Sequence, residues 1–228
     1  VYLHRYLPAA VLALFAGPAL AAPLGNVRSV SAGQADGPSW DLVSDSGARV
    51  RVSLPRADVV RIQAGPKELV GPGDKAAPIV VASPSKDVQH AFSEEQGQLV
   101  IRTAALTLRI DRRPLRFTLF REGDAQPLWR EVQALDIGDK QSVQVFSSDK
   151  GERFFGGGQQ NGRYEFKGRE LQVSYSGGWE EGDRPNPAPF LMSSRGWGML
   201  RNTWSDGSYD LREPDQATLQ HAEPRFDA

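Results

Sequence analysis

Short segments in which apolar and polar residues alternate are spread along the middle of the chain. They are rich in Val, Ile, Leu, Thr and Phe, the residues that suit a pleated, half-buried surface. The alternating segments cover residues 50–54, 59–62, 99–102, 106–110, 117–120 and 143–146. We find no amphipathic segment of helical period longer than two turns. The pattern predicts an all-β chain.

Turn-forming residues separate these segments. Turn signals, each containing Gly or Pro, occur at residues 45–47, 71–74, 95–97, 111–114 and 122–124. Many short strands at such spacing are typical of a β-sandwich. Because roughly 200 residues exceed what an immunoglobulin-like sandwich needs, we expect a larger antiparallel one.

The first 21 residues predict a secretory signal peptide. His4 and Arg5 form a short basic start, residues 7–20 are mostly apolar, and a small-x-small pattern ends at Ala21. The apolar run is shorter than the roughly 20 residues that a membrane span needs. We therefore expect cleavage after Ala21, export to the periplasm or the extracellular space, and no membrane span in the mature chain, 22–228.

Composition narrows the chemistry further. The chain has no cysteine, so disulfides, cysteine nucleophiles and thiolate metal sites are excluded. Only His90 and His221 remain after cleavage, and neither has the spacing of a metal site. The net charge is −1 and the charges are interspersed. Without a basic stripe, nucleic acid is not expected as a partner. We expect neither a metal ion nor another cofactor.

The stretch 152–211 says most about function. Three glycines, 156–158, follow two phenylalanines, so a buried strand is expected to run into backbone with positive φ or a close approach. A long loop rich in Gly, Pro, Trp and carboxylates comes next, and two short strands are predicted around Phe190 and Met199. Loops of this length in compact domains are often functional, and this mixture of aromatic and acidic residues suits a sugar-binding surface.

This stretch resembles the end of the N-terminal β-sandwich of glycoside hydrolase family 31. In that family an R-F-x-G-x-G-x segment leads to a loop facing the active site, and a P-F-x-x-S-x-x-G-x-G-x-x-x-N-T segment follows it. Residues 153–158 (R-F-F-G-G-G) and 189–203 (P-F-L-M-S-S-R-G-W-G-M-L-R-N-T) carry the resemblance. Residues 98–128 are similar to a three-stranded meander of the family, a less specific pattern.

The resemblance implies a galactose-mutarotase-like β-sandwich over residues 22–228. The parent enzyme is then a metal-independent retaining glycosidase that acts on α-linked sugars. Its two catalytic aspartates lie on a (β/α)8 barrel that this chain does not contain, so we assign no catalytic residue here.

The loop at residues 179–184 (W-E-E-G-D-R) is the first candidate site. A sugar offers hydroxyls at its edge and C–H groups on its faces, so a site combines an aromatic plane with carboxylates or Arg. The resemblance places this loop over the mouth of the barrel. It makes Asp183 the first candidate for substrate contact and Glu181 the second, with Trp179 and Arg184 beside them. A solvated surface loop is the alternative.

Two further motifs favour structural roles. The glycines 156–158 are followed by Gln159 and Gln160 rather than by Lys-Ser/Thr, so they do not form a phosphate cradle. Packing at the junction between sandwich and barrel is favoured. The resemblance gives Asn202 and Thr203 a structural role, and Trp197 and Trp204 are expected in a core or an interface.

We conclude from the sequence that the chain is the non-catalytic N-terminal part of a secreted family 31 glycosyl hydrolase. It would support the missing C-terminal barrel and contribute a loop to the pocket for an α-linked oligosaccharide or glycoside. A stand-alone carbohydrate-binding sandwich is the main alternative. An aldose mutarotase is disfavoured because His90 has no partner histidine, and a non-enzymatic structural module is a third possibility.

Two expectations concern the end of the chain and its surface. Residues 216–228 resemble an unfinished connection with no closing strand. If the stretch 152–228 packs on a barrel, some of its large apolar side chains should be under-buried in this chain alone. The candidates are Phe154, Phe155, Phe190, Met199 and Trp204.

Overall fold

The computed structural model describes residues 22–33, 37–66, 79–80 and 84–228. The predicted signal peptide and the turn predicted at 71–74 lie outside these residues. Every regular element in the described part of the chain is a β-strand, which confirms the all-β prediction. None of its elements is a helix long and apolar enough to cross a membrane.

The strands are mostly short. In chain order they are β1 (Ala22–Pro23), β2 (Val27–Ala32), β3 (Ser39–Ser44), β4 (Arg49–Arg56), β5 (Val59–Gly65), β6 (Ala91–Glu95), β7 (Gln98–Arg102), β8 (Leu106–Arg112), β9 (Leu115–Arg121), β10 (Trp129–Arg130), β11 (Asp136–Ile137), β12 (Ser142–Ser147), β13 (Phe154–Gln159), β14 (Glu170–Val173), β15 (Asn186–Ser193), β16 (Trp197–Leu200), β17 (Gly207–Asp210), β18 (Gln216–His221) and β19 (Phe226–Asp227).

These strands form four antiparallel sheets. A six-stranded sheet has the order β1-β11-β12-β18-β17-β14, and two five-stranded sheets have the orders β10-β9-β8-β7-β6 and β19-β5-β4-β3-β2. The fourth sheet has three strands in the order β13-β15-β16. One hydrophobic cluster contains residues from all four sheets, among them Phe146, Phe117, Val52 and Leu191.

The predicted meander is confirmed as β7, β8 and β9. Leu99 lies opposite Ile110, which in turn lies opposite Phe117, and all three are buried. This row is the core-facing side of a period-two pattern. The meander is extended by β6 through a turn in which Gln96 and Gly97 both have positive φ, the backbone that a tight hairpin requires.

The prediction for the C-terminal segment is wrong. Strand β18 lies in the interior of the six-stranded sheet, between β12 and β17, and β19 pairs with β5 at the edge of another sheet. The buried residues of β18 are Ala217, Leu219 and His221. A small residue and a histidine give a weak alternation, so the partners that stabilise this strand could not be seen locally.

The buried carboxylate of Glu152 connects strands of the three-stranded sheet by hydrogen bonds. Glu152 accepts hydrogen bonds from the indole Nε1 of Trp197 at 3.1 Å and from the hydroxyl of Ser193. Its other oxygen accepts the backbone N–H of Asp149 at 3.1 Å. Because these contacts fix β15 and β16 against the start of β13, the loops between β13 and β15 extend from a rigid base.

Candidate functional site

The glycines of β13 are required by close packing. Gly156, Gly157 and Gly158 have φ of 124°, 76° and 73°. A Cβ atom at Gly156 would lie 2.2 Å from the carbonyl oxygen of Phe190, and one at Gly157 would lie 2.4 Å from a methyl group of Leu171. The expectation of positive φ and close approach is confirmed, so these residues pack against neighbouring strands.

Gln159 and Gln160, which follow the glycines, form hydrogen bonds within the domain. The side-chain amide of Gln160 donates to the carbonyl oxygens of Gly157 at 2.7 Å and Gln172 at 3.1 Å. Gln159 accepts from the side chain of Asn186 at 2.9 Å. These three hydrogen bonds stabilise the end of β13, where the first of the two candidate loops begins.

The two loops are the segments 160–169, between β13 and β14, and 174–185, between β14 and β15. They are joined by paired backbone hydrogen bonds, since Asn161 N–H donates to Asp183 O at 3.0 Å and Gly182 N–H donates to Asn161 O at 3.1 Å. A Cβ at Gly162 would lie 2.7 Å from Cγ of Glu181. The stem of Glu181 therefore lies directly on the first loop.

The four residues predicted as substrate contacts lie in the 174–185 loop. Trp179 is 79% exposed and Glu181 is exposed, whereas Asp183 and Arg184 are half-buried. Arg184 donates from Nε to the carbonyl oxygen of Ser174 at 2.9 Å. The structure thus brings the four together in one hairpin, with two of them directed to solvent and two engaged within the loop.

Two further aromatic residues in these loops are exposed. Tyr164, in the first loop, is 80% exposed, and Tyr175, in the second, is 72% exposed. Sequence reasoning did not single them out. The sequence does contain a signal for their exposure, because both residues lie in Gly-rich and charged segments outside any alternating pattern. Exposed aromatic rings beside carboxylates form a surface suited to the faces and hydroxyls of sugars.

The outer face of the three-stranded sheet is apolar. Phe155 lies opposite Met192, and Phe190 lies opposite Leu200. Met192 is exposed and the other three are half-buried. Gly198, opposite Met192, is covered by the ring of Phe190, which would lie 3.2 Å from a Cβ there.

The expectation of under-buried apolar residues is confirmed for some of those named. Phe155 and Phe190 are half-buried and Trp204 is exposed, whereas Phe154 and Met199 are buried. Trp197 lies in the core and packs edge-on against Phe146. Trp204, in contrast to Trp197, lies outside the core.

Other polar candidates have structural partners. Asn202 accepts the backbone N–H of Ile79 at 3.1 Å and donates to the carboxylate of Asp227 at 2.9 Å. His90 packs edge-on against Trp40, and its Nδ1 lies 2.8 Å from the carbonyl oxygen of Val88. Within the described ranges, no three His, Asp or Glu side chains are grouped as metal ligands.

Comparison with known protein families identifies the domain. The model of the glycosyl hydrolase 31 N-terminal galactose mutarotase-like domain matches residues 49–210. No curated protein matches the sequence.

Solved structures of carbohydrate-active enzymes share the fold. A dextranase of Flavobacterium johnsoniae complexed with isomaltotriose is 18% identical with a TM-score of 0.76, over 90% of this chain and 26% of that chain. The cycloalternan-forming enzyme of Listeria monocytogenes, in complex with a pentasaccharide substrate, is 15% identical with a TM-score of 0.72, over 90% and 20%. An α-xylosidase from a soil metagenome, complexed with xylose, is 16% identical with a TM-score of 0.68, over 86% and 31%. The chain therefore spans between a fifth and a third of the length of these enzymes.

Proposed function

Because the chain belongs to the family of glycosyl hydrolase 31 N-terminal galactose mutarotase-like domains, we propose that it is the non-catalytic N-terminal part of a secreted glycosidase acting on α-linked sugars. The observation that carries the proposal is the exposed 174–185 loop. It presents Trp179 beside carboxylates on a sheet of the family fold. The dextranase and the α-xylosidase that share this fold bind isomaltotriose and xylose, which supports a sugar as ligand.

The second part of the proposal is that this domain supports a catalytic barrel. The apolar outer face of the three-stranded sheet favours this role, since Phe155, Phe190, Met192 and Leu200 share it. Exposed apolar patches of a few hundred Å² or more mark sites of interaction on soluble proteins. A barrel packed here would lie against β15, the strand into which the 174–185 loop leads, so the loop would form one wall of its pocket.

Catalysis is proposed to lie outside this chain. Glycosidases use two carboxyl groups on either side of one bond, and the acid is kept protonated by burial. Glu180 and Glu181 are both exposed, which does not suit the acid. The roles proposed for this domain are support of the barrel and substrate contact.

Activity measurements test the proposal directly. Residues 22–228 should not hydrolyse aryl α-glucosides or α-xylosides, whereas the product of the gene read beyond Ala228 should. Turnover by 22–228 alone that is lost in Glu181→Gln or Asp183→Asn would refute it and would place catalysis in this loop.

A stand-alone carbohydrate-binding domain is the second candidate. The three exposed aromatic residues Tyr164, Tyr175 and Trp179 favour it, since a sugar platform must face water. Titration of residues 22–228 with isomaltotriose distinguishes the two. Binding that is lost in Trp179→Ala, with a reading frame that ends near Ala228, would support the second candidate.

Export is proposed from the sequence of residues 1–21. The mature protein recovered from the periplasm or the medium should begin at Ala22, as N-terminal sequencing would establish. An exported protein that begins at Val1 would contradict the proposed cleavage.

A further inference from the structure

The tip of the 174–185 loop is closed by its own hydrogen bonds. Gly177 and Arg184 form an isolated bridge, and Asp183 N–H donates to Glu180 O at 3.1 Å. The carbonyl oxygen of Asp183 accepts the N–H of Asn161 from the neighbouring loop. The backbone on both sides of the tip is therefore fixed.

The side chain of Asp183 points into this tip. Its Oδ2 accepts the backbone N–H of Glu180 at 3.0 Å. Gly178 has φ of 76°, and a Cβ there would lie 2.0 Å from the same oxygen. The carboxylate thus occupies the space that a side chain at position 178 would fill.

Trp179 and Glu181 are arranged differently. Both are exposed, and the stem of Glu181 lies on Gly162 of the first loop. Their positions follow from the backbone between Gly178 and Asp183, which the carboxylate of Asp183 holds.

We propose that Asp183 is a positioning residue, which preforms the loop so that Trp179 and Glu181 meet the sugar. This inference rests on the proposed function for its sugar, and it assigns Asp183 a different role from the substrate contact predicted from sequence. The carboxylate acts as an acceptor for a backbone N–H, so an amide oxygen in the same place should replace it.

Hydrogen exchange of the Glu180 amide in residues 22–228 tests the positioning role independently of any sugar. Asp183→Ala should raise the exchange rate about tenfold or more, the factor expected for loss of one hydrogen bond to a charged group. Asp183→Asn should stay closer to the wild type than to Asp183→Ala, because its amide oxygen keeps the hydrogen bond and loses only the charge. Gly178→Ala should act like Asp183→Ala, because its Cβ displaces the carboxylate. Gly182→Ala is the matched control, since Gly182 also has positive φ but nothing lies within 4 Å of a Cβ there.

Kinetics of the longer gene product on an aryl α-glycoside then test the link to the sugar. Asp183→Ala should raise KM with little change in kcat, and Asp183→Asn should not. Trp179→Ala and Glu181→Gln should raise KM without changing Glu180 exchange. Unchanged exchange in Asp183→Ala overturns the proposal, as does an Asp183→Asn variant that raises KM as much as Asp183→Ala. An inactive wild type would refute the proposed function while the exchange result still decides the role of Asp183.

Discussion

Gln144 donates a side-chain hydrogen bond to the carboxyl group of Glu131 at 2.7 Å, and both residues are buried. The other oxygen of Glu131 accepts the backbone N–H of Phe117 at 3.0 Å, and Glu131 forms an isolated bridge with Phe146. Glu131 therefore links β9 of one sheet to β12 of another. Burial raises its pKa to about 8, although these hydrogen bonds and the charge of Arg116 act in the opposite direction.

The first prediction concerns the pH dependence of stability. The wild type should become less stable as pH rises, and Glu131→Gln should not show this decrease. The folded protein keeps a proton that the unfolded chain releases at its ordinary pKa of 4.5. The free energy of unfolding should therefore fall as pH rises from 4.5 to about 8, by up to a few kcal/mol. Urea unfolding at a series of pH values measures it, and the variant should be the more stable protein above pH 8.

Glu213→Gln serves as the control, because Glu213 is exposed. Its curve should run parallel to that of the wild type. A parallel curve for Glu131→Gln as well would show that Glu131 is ionised in the folded protein and would contradict the prediction.

The second prediction concerns the stability of the protein at acidic pH. His221 is buried, and its Nδ1 lies 3.1 Å from the carbonyl oxygen of Ser205, so Nδ1 carries the proton. Its Nε2 then accepts the hydroxyl of Tyr209 at 3.0 Å. Burial and the charge of Arg201 lower the pKa of His221 from 6.5 to about 4. Because the unfolded chain takes up the proton first, stability should fall as pH decreases from 6.5 to about 4.

His221→Gln should lose this pH dependence, at the cost of lower stability overall because its two hydrogen bonds are disturbed. His90→Gln, at an exposed histidine, should follow the wild type. The His221 ring can also be followed by NMR, and a titration midpoint at or above 6.5 would contradict the prediction.

The sequence predicted those strands whose alternation uses large apolar residues, such as β7 and β8. It did not predict β2 (V-R-S-V-S-A) or β17 (G-S-Y-D), which have few large apolar residues. Such strands are stabilised by partners far along the chain rather than by their own pattern. The position of β18 between β12 and β17 is the clearest case, because no local signal identifies either neighbour.

The composition of the sequence identified the candidate loop, but it did not predict the geometry of that loop. That Asp183 turns inward depends on the left-handed backbone of Gly178. That Tyr164 lies in the loop joined to that of Trp179 depends on the hydrogen bonds between Asn161 and Asp183. Both follow from tertiary contacts, which composition does not encode.

The third prediction concerns the buried ion pair of Arg201 and Glu223. Nη2 of Arg201 lies 3.0 Å from the carboxylate, and the guanidinium stacks on the ring of Phe226 at 4.1 Å. Removing Arg201 leaves Glu223 buried with only the longer contact to Nε of Arg225, at 3.6 Å. Because breaking a buried pair is costly, Arg201→Ala should lower the free energy of unfolding by up to about 3 to 5 kcal/mol. Arg212→Ala removes a largely exposed pair with Asp210 and should cost about 1 kcal/mol or less.

Urea unfolding of the two variants at the same pH makes the comparison. Combining Arg201→Met with Glu223→Gln should recover part of the loss, since neither charge then remains buried. Equal losses for Arg201→Ala and Arg212→Ala would show that solvent reaches Arg201 in the folded protein, contrary to its complete burial.

The fourth prediction concerns the apolar outer face of the three-stranded sheet. If a barrel normally covers it, residues 22–228 alone should bind a hydrophobic fluorescent dye or self-associate while the core stays folded. Met192→Gln should reduce dye binding, because Met192 is 43% exposed in the middle of this face. Val59→Thr is the matched control, since Val59 is 40% exposed on a different sheet and should leave dye binding unchanged. A monodisperse monomer that binds no dye would instead favour a self-sufficient binding domain, and Trp179 would then be the residue whose substitution decides whether it binds sugar.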